Sequence, residues 1–560
     1  MMKKITLTPA LIIIVGFLTI CPVFMLVLGS FMEGFGSFEG LTLSKYITAY
    51  TDPGLKEMLL NTLIFTLGSA AVSTILALFL AYMNTRTNIP FKFVFKIISI
   101  IPMMIPHILF CVSWALLLNP SNGILNRLLM DVFGLESALF NIYTLPGMIL
   151  VEGLLDLPIA YLIIAPAMNS FDVSLEESSK VCGASHWQTL MRITLPVLRP
   201  AILASIILVI VRSLASFAVP SVLGMPGRIY VLPTHIYKII SSGFAADYGQ
   251  ASAIGMSALA ASIVLIYLYR YLTSESSRFV TISGRGFKPT LIDLKAYKYP
   301  LFTLVGILSF ILIILPVIVL LYTSFLPYSM VPSLKAFSMM SLKNWYEVLK
   351  DPLSLLSLKN SLILGIGGAT LGVILSIFVA YVIVKVRTKA AGILESLSFL
   401  SFSFPGIVIG VGFMWFFVQT PLYGTIWVLL IAYIATYLPY GIRPMSSAFI
   451  QIHSSLEESS RVSGAGAWTT MRRIVIPLLI PGIVSGWILM ATMFVRELTV
   501  SVVLSRPGSE VLAVQILRFS EDGLWGQLSA LGIIMIIISS TLVILVTMLG
   551  NKFSRIQAGS

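Results

Sequence analysis

The chain alternates long apolar runs with short polar connections. A helix needs about 20 apolar residues to cross about 30 Å of hydrocarbon. Twelve runs meet that requirement, at about 9–31, 58–84, 93–118, 145–168, 197–220, 251–272, 300–325, 359–384, 394–418, 425–448, 478–503 and 527–550. Lipid-exposed backbone must satisfy its own hydrogen bonds, so these runs predict helices. They are too long and too evenly apolar for barrel strands, which alternate with period two. The first run exceeds a signal-peptide core. Ile20 precedes Cys21 where lipoprotein cleavage takes a small residue, so an uncleaved first span is expected.

Composition supports the same picture. Of 560 residues, 58% are hydrophobic and 11% charged, and the mean hydropathy is +0.98. That profile excludes a soluble enzyme, a disordered chain and a nucleic-acid-binding domain. The net charge of +13 forms no single basic face, because the lysines and arginines fall between the apolar runs. With the N-terminus inside, inner connections carry about twice as many basic residues as outer ones. An even number of spans then puts both termini in the cytoplasm. Cys21, Cys111 and Cys182 are scattered, as are His107, His186, His235 and His453, and neither set has metal-ligand spacing. No GxxxxGK[ST] phosphate loop, HExxH pair or nucleophile elbow occurs. No catalytic, cofactor-binding or metal-ligating set is therefore expected in this chain.

The chain is a duplication. Residues 175–200 align with 456–481 at a constant offset of 281, with 15 identities. Leu157-Pro158 and Leu438-Pro439 share that offset, as do Pro226-Gly227 and Pro507-Gly508. Upstream the offset is 299, pairing Asn61 with Asn360, Ala81-Tyr82 with Ala380-Tyr381 and Pro106 with Pro405. The outer loop near 119–145 accounts for the difference. Each half has six spans, so the halves are parallel repeats, expected about a pseudo-two-fold axis along the membrane normal. They divide as residues 1–285 and 286–560, joined by a charged inner stretch. The best-matched segment is a polar inner loop, at 172–196 and again at 453–477. Oily helices resemble one another cheaply, and a polar loop does not. Two such loops facing one compartment suggest two contacts with a two-fold partner.

Within each loop, Ser174 with Glu177 and Ser455 with Glu458 have capping-box spacing. Gly183 and Gly464 are placed to end the short helices that follow. A second helical segment carries Trp187 or Trp468 and is expected to stop near Pro196 or Pro477. Capping and turn formation alone would also explain these glutamates and glycines.

Glu177-Ser-Ser-Lys-Val-Cys-Gly183-Ala184 with Ile193-Thr-Leu-Pro196, and Glu458-Ser-Ser-Arg-Val-Ser-Gly464-Ala465 with Ile474-Val-Ile-Pro477, resemble the EAA loop of permease subunits of binding-protein-dependent ABC importers. Both copies depart from that pattern by carrying Ser-Ser for Ala-Ala. The resemblance implies an all-α polytopic protein of the type I ABC importer permease fold. It implies that Glu177, Gly183, Ala184, Glu458, Gly464 and Ala465 couple this chain to an ATPase. The implied partners are two copies of an ABC ATP-binding subunit, which hold ATP and Mg, and an extracytoplasmic substrate-binding protein. The implied location is the bacterial cytoplasmic (inner) membrane, with lipid around the chain and no nucleic acid.

Ionisable residues inside a bilayer are candidates for a transport pathway. These are Glu152 and Asp156 in the fourth span, Arg212 in the fifth, and Arg496 with Glu497 in the eleventh. Glu152 and Asp156 share a helix face. Their counterparts are Tyr433 and Tyr437, so the polar lining is expected to be asymmetric. Interhelical pairing that fixes packing is the competing reading of each. Phe494-Val-Arg496-Glu497-Leu498 through Ser505-Arg-Pro-Gly508, with Val219 to Gly224 and Thr281 to Gly286, resembles the fused ferric-iron permease subgroup. Fused permeases for thiamine, phosphonates and sugar phosphates are similar enough to remain open alternatives. A gradient-driven secondary transporter is the alternative class, although it offers no reason for a duplicated polar loop.

Overall fold

The computed structural model describes residues 2–36, 40–170, 174–243, 246–274, 291–386, 388–401 and 404–558. The expected stretch from Thr281 to Gly286, the junction at 285/286 and loop residues 172–173 lie outside them. Among the described residues the only β-structure is two isolated bridges, Met32–Leu41 and Thr87–Ile292. Ten described helices are long and apolar enough to cross a membrane. They are Thr8–Phe31, Leu55–Arg86, Leu145–Ser170, His186–Leu214, Tyr248–Tyr269, Lys295–Ser324, Pro352–Val386, Ile426–Gln451, Ala467–Val495 and Trp525–Met548.

The other two predicted runs are not single helices. Lys92–Met103 and His107–Leu118 meet at a bend of 101°. The equivalent run in the second half is divided into Lys389–Leu400 and Gly406–Phe417. Proline is the cause. It lacks an N–H, and it drives the residue before it out of the helical region. Ile105, ahead of Pro106, is extended at φ −84°, ψ 130°. Pro405 is the repeat partner of Pro106 and stands directly before the Gly406–Phe417 helix.

Prolines elsewhere bend the expectation the other way. The helical segments of both polar loops do not stop at Pro196 and Pro477. They continue into the next span as unbroken helices, His186–Leu214 and Ala467–Val495. Each passes through a widened π-turn, at Leu190–Thr194 and Met471–Val475, that ends two residues before the proline. A proline ring presses on the carbonyl four residues back, here that of Arg192 or Arg473, and a wider turn makes room for it. Phe310–Ile314 ahead of Pro316 repeats the device.

The chain forms two compact units. One comprises residues 53–235 and 260–341. In it Leu55–Arg86, Leu145–Ser170 and Leu195–Leu214 pack together. Their shared core includes Ala70, Ala77, Ala81, Ala160, Ile164 and Leu198. Small residues here let the helix backbones approach closely. The other unit comprises residues 1–52, 236–259 and 342–560, and Ala369–Tyr381, Ile426–Gln451 and Ile476–Val495 form the equivalent trio. The Met2–Phe31 helix packs there against Gly406–Phe417. Gly412 faces the Pro22 carbonyl so closely that a Cβ would collide with it, and Gly29 lies against Trp415. Unit membership therefore does not follow chain order. The first helix groups with second-half spans, and Leu315–Ser324 packs on His107–Leu118 of the first half.

Candidate functional site

Each polar loop forms an elbow of two helical pieces joined at a glycine. The first pieces are Ser174–Val181 and Ser454–Val462. Gly183 at φ +83° and Gly464 at φ +82° occupy the left-handed region, where a side chain is strained and glycine is not. In both copies the alanine that follows closes the helix end. The Ala184 N–H donates to the Ser179 carbonyl at 3.1 Å, and the Ala465 N–H to the Ser460 carbonyl at 3.0 Å. The Ser-Ser departure acquires a role here. Ser179 hydrogen-bonds Thr189 at 3.0 Å, and Ser460 hydrogen-bonds Thr470 at 2.8 Å, so each hydroxyl ties the first piece to the second.

The expected capping box of the second elbow is not its observed cap. In the second elbow the His453 side chain accepts from the Ser455 N–H, which places Ser455 inside the helix. In the first elbow the residues before Ser174 lie outside the described ones. A capping box does form at the start of the second helical piece of the first elbow, between Ser185 and Gln188.

Sequence reasoning selected Glu177 and Glu458. The structure leaves Glu177 partly exposed and Glu458 exposed, and buries their neighbours instead. Glu176 is 6% exposed and Glu457 7%. Arg86 Nε lies 3.4 Å from Glu176 Oε1, which also accepts a 2.7 Å hydrogen bond from Thr194. Lys385 Nζ lies 3.3 Å from Glu457 Oε1, with Arg461 at 3.7 Å from the other oxygen. Arg86 and Lys385 correspond at the 299 offset, and each stands at the end of the second span of its half. That shared offset was the signal available in the sequence. The outer faces also match. Val181 and Val462 are 88% and 90% exposed, and Trp187 and Trp468 are 65% and 68%.

Deeper in the same spans the halves differ. Three of the predicted pathway residues come together. Arg212 Nε donates to Asp156 Oδ1 at 2.9 Å, and Ser213 donates to the other oxygen at 3.2 Å. Ser216 donates to Glu152 at 2.8 Å, and His107 Nε2 lies 3.5 Å from the Arg212 guanidinium. In the other unit Glu497 accepts hydrogen bonds from the Tyr437 hydroxyl and from the Val500 N–H. The Arg496 guanidinium lies 3.1 Å from Met493 Sδ. Glu497 is the repeat counterpart of Ser216, and Tyr437 of Asp156, so in the second copy the carboxylate stands in the break just past the end of the Ala467–Val495 helix, with Arg496 at its cap, rather than inside the eleventh span as expected.

A third feature stands in the first half. The end of the connecting stretch straps onto the turn after Arg86. The Ile292 N–H donates to the Arg86 carbonyl at 2.8 Å, and the Asn88 N–H to the Ile292 carbonyl at 3.1 Å. The Asn88 amide also binds Asp293 at 2.6 Å. The Lys295 backbone N–H, and then Asn88, hold the Asp293 carboxyl below the usual range. Among the described residues no group of three or more His, Cys, Asp or Glu could hold a metal ion.

Comparison with known proteins agrees with the duplicated geometry. The chain matches the family described as "Binding-protein-dependent transport system inner membrane component" over residues 73–277 and 372–555, once in each half. It is 30% identical over 495 residues to the putative ferric transport system permease protein FbpB 1 of Haemophilus influenzae, covering 87% of this chain and 75% of that protein. It is 29% identical over 547 residues to the ferric transport system permease protein FbpB of Actinobacillus pleuropneumoniae, covering 96% and 76%. A solved bacterial ABC transporter involved in alginate import aligns at 21% identity and TM-score 0.37, over 47% of this chain and 92% of that one. This chain belongs to the family of binding-protein-dependent transport system inner membrane components, as a permease that carries the family's domain twice.

Proposed function

We propose that this permease forms the translocation pathway of a ferric-iron importer, with residues 1–285 and 286–560 as its two repeats. The observation that carries the proposal is the duplicated elbow. Identical backbone closure, matched buried ion pairs and matched exposed valines and tryptophans suit two copies of one docking partner. Apolar side chains left exposed in register are characteristic of a protein-binding surface. The partner is an ABC ATP-binding subunit on the cytosolic face, which binds ATP and Mg²⁺ and performs the hydrolysis. Glu177, Gly183, Ala184, Glu458, Gly464 and Ala465 form the docking elbows, and both chain termini lie in the cytosol. A soluble or tethered binding protein delivers substrate on the opposite face. The names of the two permease relatives support ferric iron as that substrate. A permease can pass an ion that the binding protein coordinates, so it needs no ligand cluster of its own. Glu152, Asp156, Arg212, Arg496 and Glu497 lie along the pathway in this reading.

The test is ATP hydrolysis by the reconstituted permease–ATPase complex, with its binding protein added empty or loaded. Ferric iron should stimulate hydrolysis, whereas thiamine, a phosphonate and a sugar phosphate should not. Stimulation by one of those three alone would replace iron as the substrate. A permease that captures no ATPase subunit would overturn the coupling role of the elbows.

A further inference from the structure

The matched ion pairs have a consequence beyond docking. Each elbow helix is joined by the chain to the fourth and fifth spans of its half. The Arg86–Glu176 and Lys385–Glu457 pairs add a non-covalent attachment to a third element, the second span. Buried ion pairs are poor sources of stability, because desolvation consumes most of their attraction and apolar side chains of similar volume do as well or better. A carboxylate in the first turn of a helix favours the helix dipole without being buried. Neither stability nor capping therefore explains a buried carboxylate paired with a span-end cation in both copies. Each carboxylate also has a further supporting group among the described residues. Thr194 assists in the first half, and Arg461 in the second. What is common to both is the link itself. In the second half Lys385 Nζ also donates to the Ile452 carbonyl at 2.7 Å, at the end of the fourth span. One ammonium thus fastens second span, fourth span and elbow helix together.

We infer that Arg86 and Lys385 are positioning residues that clamp each docking helix to the second span, so that displacement of the helix is transmitted to the membrane-spanning helices. The inference rests on the proposal that the elbows bind the ATPase. In this arrangement the two adjacent glutamates divide the work. Glu177 and Glu458 face the partner, while Glu176 and Glu457 hold the helix to the bundle.

The experiment uses the full complex in vesicles, with K385M, E457Q and the double variant K385M/E457Q. Three quantities are read: ATPase subunits copurified, ATP hydrolysed, and substrate imported per ATP. Each single variant should retain its ATPase subunits and lose about tenfold in substrate per ATP, within the range seen for coupled residues in contact. The double variant should lose no more than either single one, because the clamp is already broken. K385R, which keeps the charge, should stay near the parental ratio. R86K and E176Q are expected to repeat the contrast in the first half, where burial is deeper. Parental import per ATP in K385M and E457Q, or losses that multiply in the double variant, would overturn the clamp. Loss of ATPase copurification from the parental protein would instead overturn the docking reading, and the two failures are thereby told apart.

Discussion

The elbows and the buried polar sites are carried by the same pairs of helices, the fourth and fifth spans of each half, yet they have diverged to different degrees. At the elbows, glycine conformation, helix closure, hydroxyl bridge and buried ion pair are the same twice over. Deeper in, where one unit has Glu152, Asp156 and Arg212, the repeat-equivalent positions of the other hold Tyr433, Tyr437 and Met493, and its carboxylate is Glu497 at the position of Ser216. After a duplication, two copies stay alike where both meet the same thing. They drift apart where one path needs only one lining. Under the proposed function, the contrast fits two identical motor subunits outside the membrane and a single substrate within it. It also fits the strap from Ile292 to the turn after Arg86, since only one half can receive the connecting stretch.

The largest effect should come from the outer glutamates. Reversing Glu177 and Glu458 together removes the matched acidic contact on both elbows while leaving every buried ion pair in place. Import should fall about 100-fold, near the top of the range of coupling free energies between sites. Membrane levels of the protein should be unchanged. Uptake assays alongside quantitative immunoblots provide the check. Normal uptake in E177K/E458K would remove the distinction between elbow and interior.

That prediction depends on telling Glu177 from Glu176, and here the sequence was legible only in part. The spans could be read because apolar length alone identifies them. Their breaks at Pro106 and Pro405 could not, because hydropathy averages over a run and carries no direction. The docking loops could be read because polar identity repeated at one offset is improbable by chance. Which glutamate turns inward depends on the rotation of a helix of only 8 residues, and that rotation is set by a cation some 90 positions earlier in the chain. Glu152 and Asp156 were legible as one face by their spacing. Their partners Ser216 and Arg212 come from another span, and local pattern says nothing about that register.

Glycines should show a smaller effect, and of two kinds. In the unit that contains the first helix, Gly412 is required by space, since an added methyl meets the Pro22 carbonyl. Gly412→Ala should destabilise by about 1–3 kcal/mol, as overpacking does. At the elbow nothing lies within 4 Å of a Cβ built on Gly183, and only its φ of +83° resists substitution. Gly183→Ala should cost about 1–2 kcal/mol from left-handed backbone strain, and Gly183→Asn should cost less than alanine because asparagine tolerates that region. Thermal unfolding of the purified protein in detergent measures all three. Equal costs for alanine and asparagine at position 183 would mean that contact, not conformation, holds the glycine there.

The smallest effect is expected where this chain departs from the family pattern. Ser179→Ala and Ser460→Ala restore the alanine of that pattern and remove one hydroxyl bridge from each elbow. A neutral hydrogen bond contributes about 0.5–1.5 kcal/mol net. The Thr189 and Thr470 hydroxyls would lose a partner, although Thr470 also donates to the Gly466 carbonyl at 3.2 Å. The second elbow should therefore tolerate the change better than the first. The glycine closure and the buried ion pair remain in both, so import per ATP should stay within about twofold of the parental value, the scale of a loss below 0.5 kcal/mol. A large drop from S460A alone would make the hydroxyl bridge, rather than the Lys385–Glu457 pair, the element that stiffens the second elbow, and the likeness of the two elbows would then rest on serines that the family pattern does not contain.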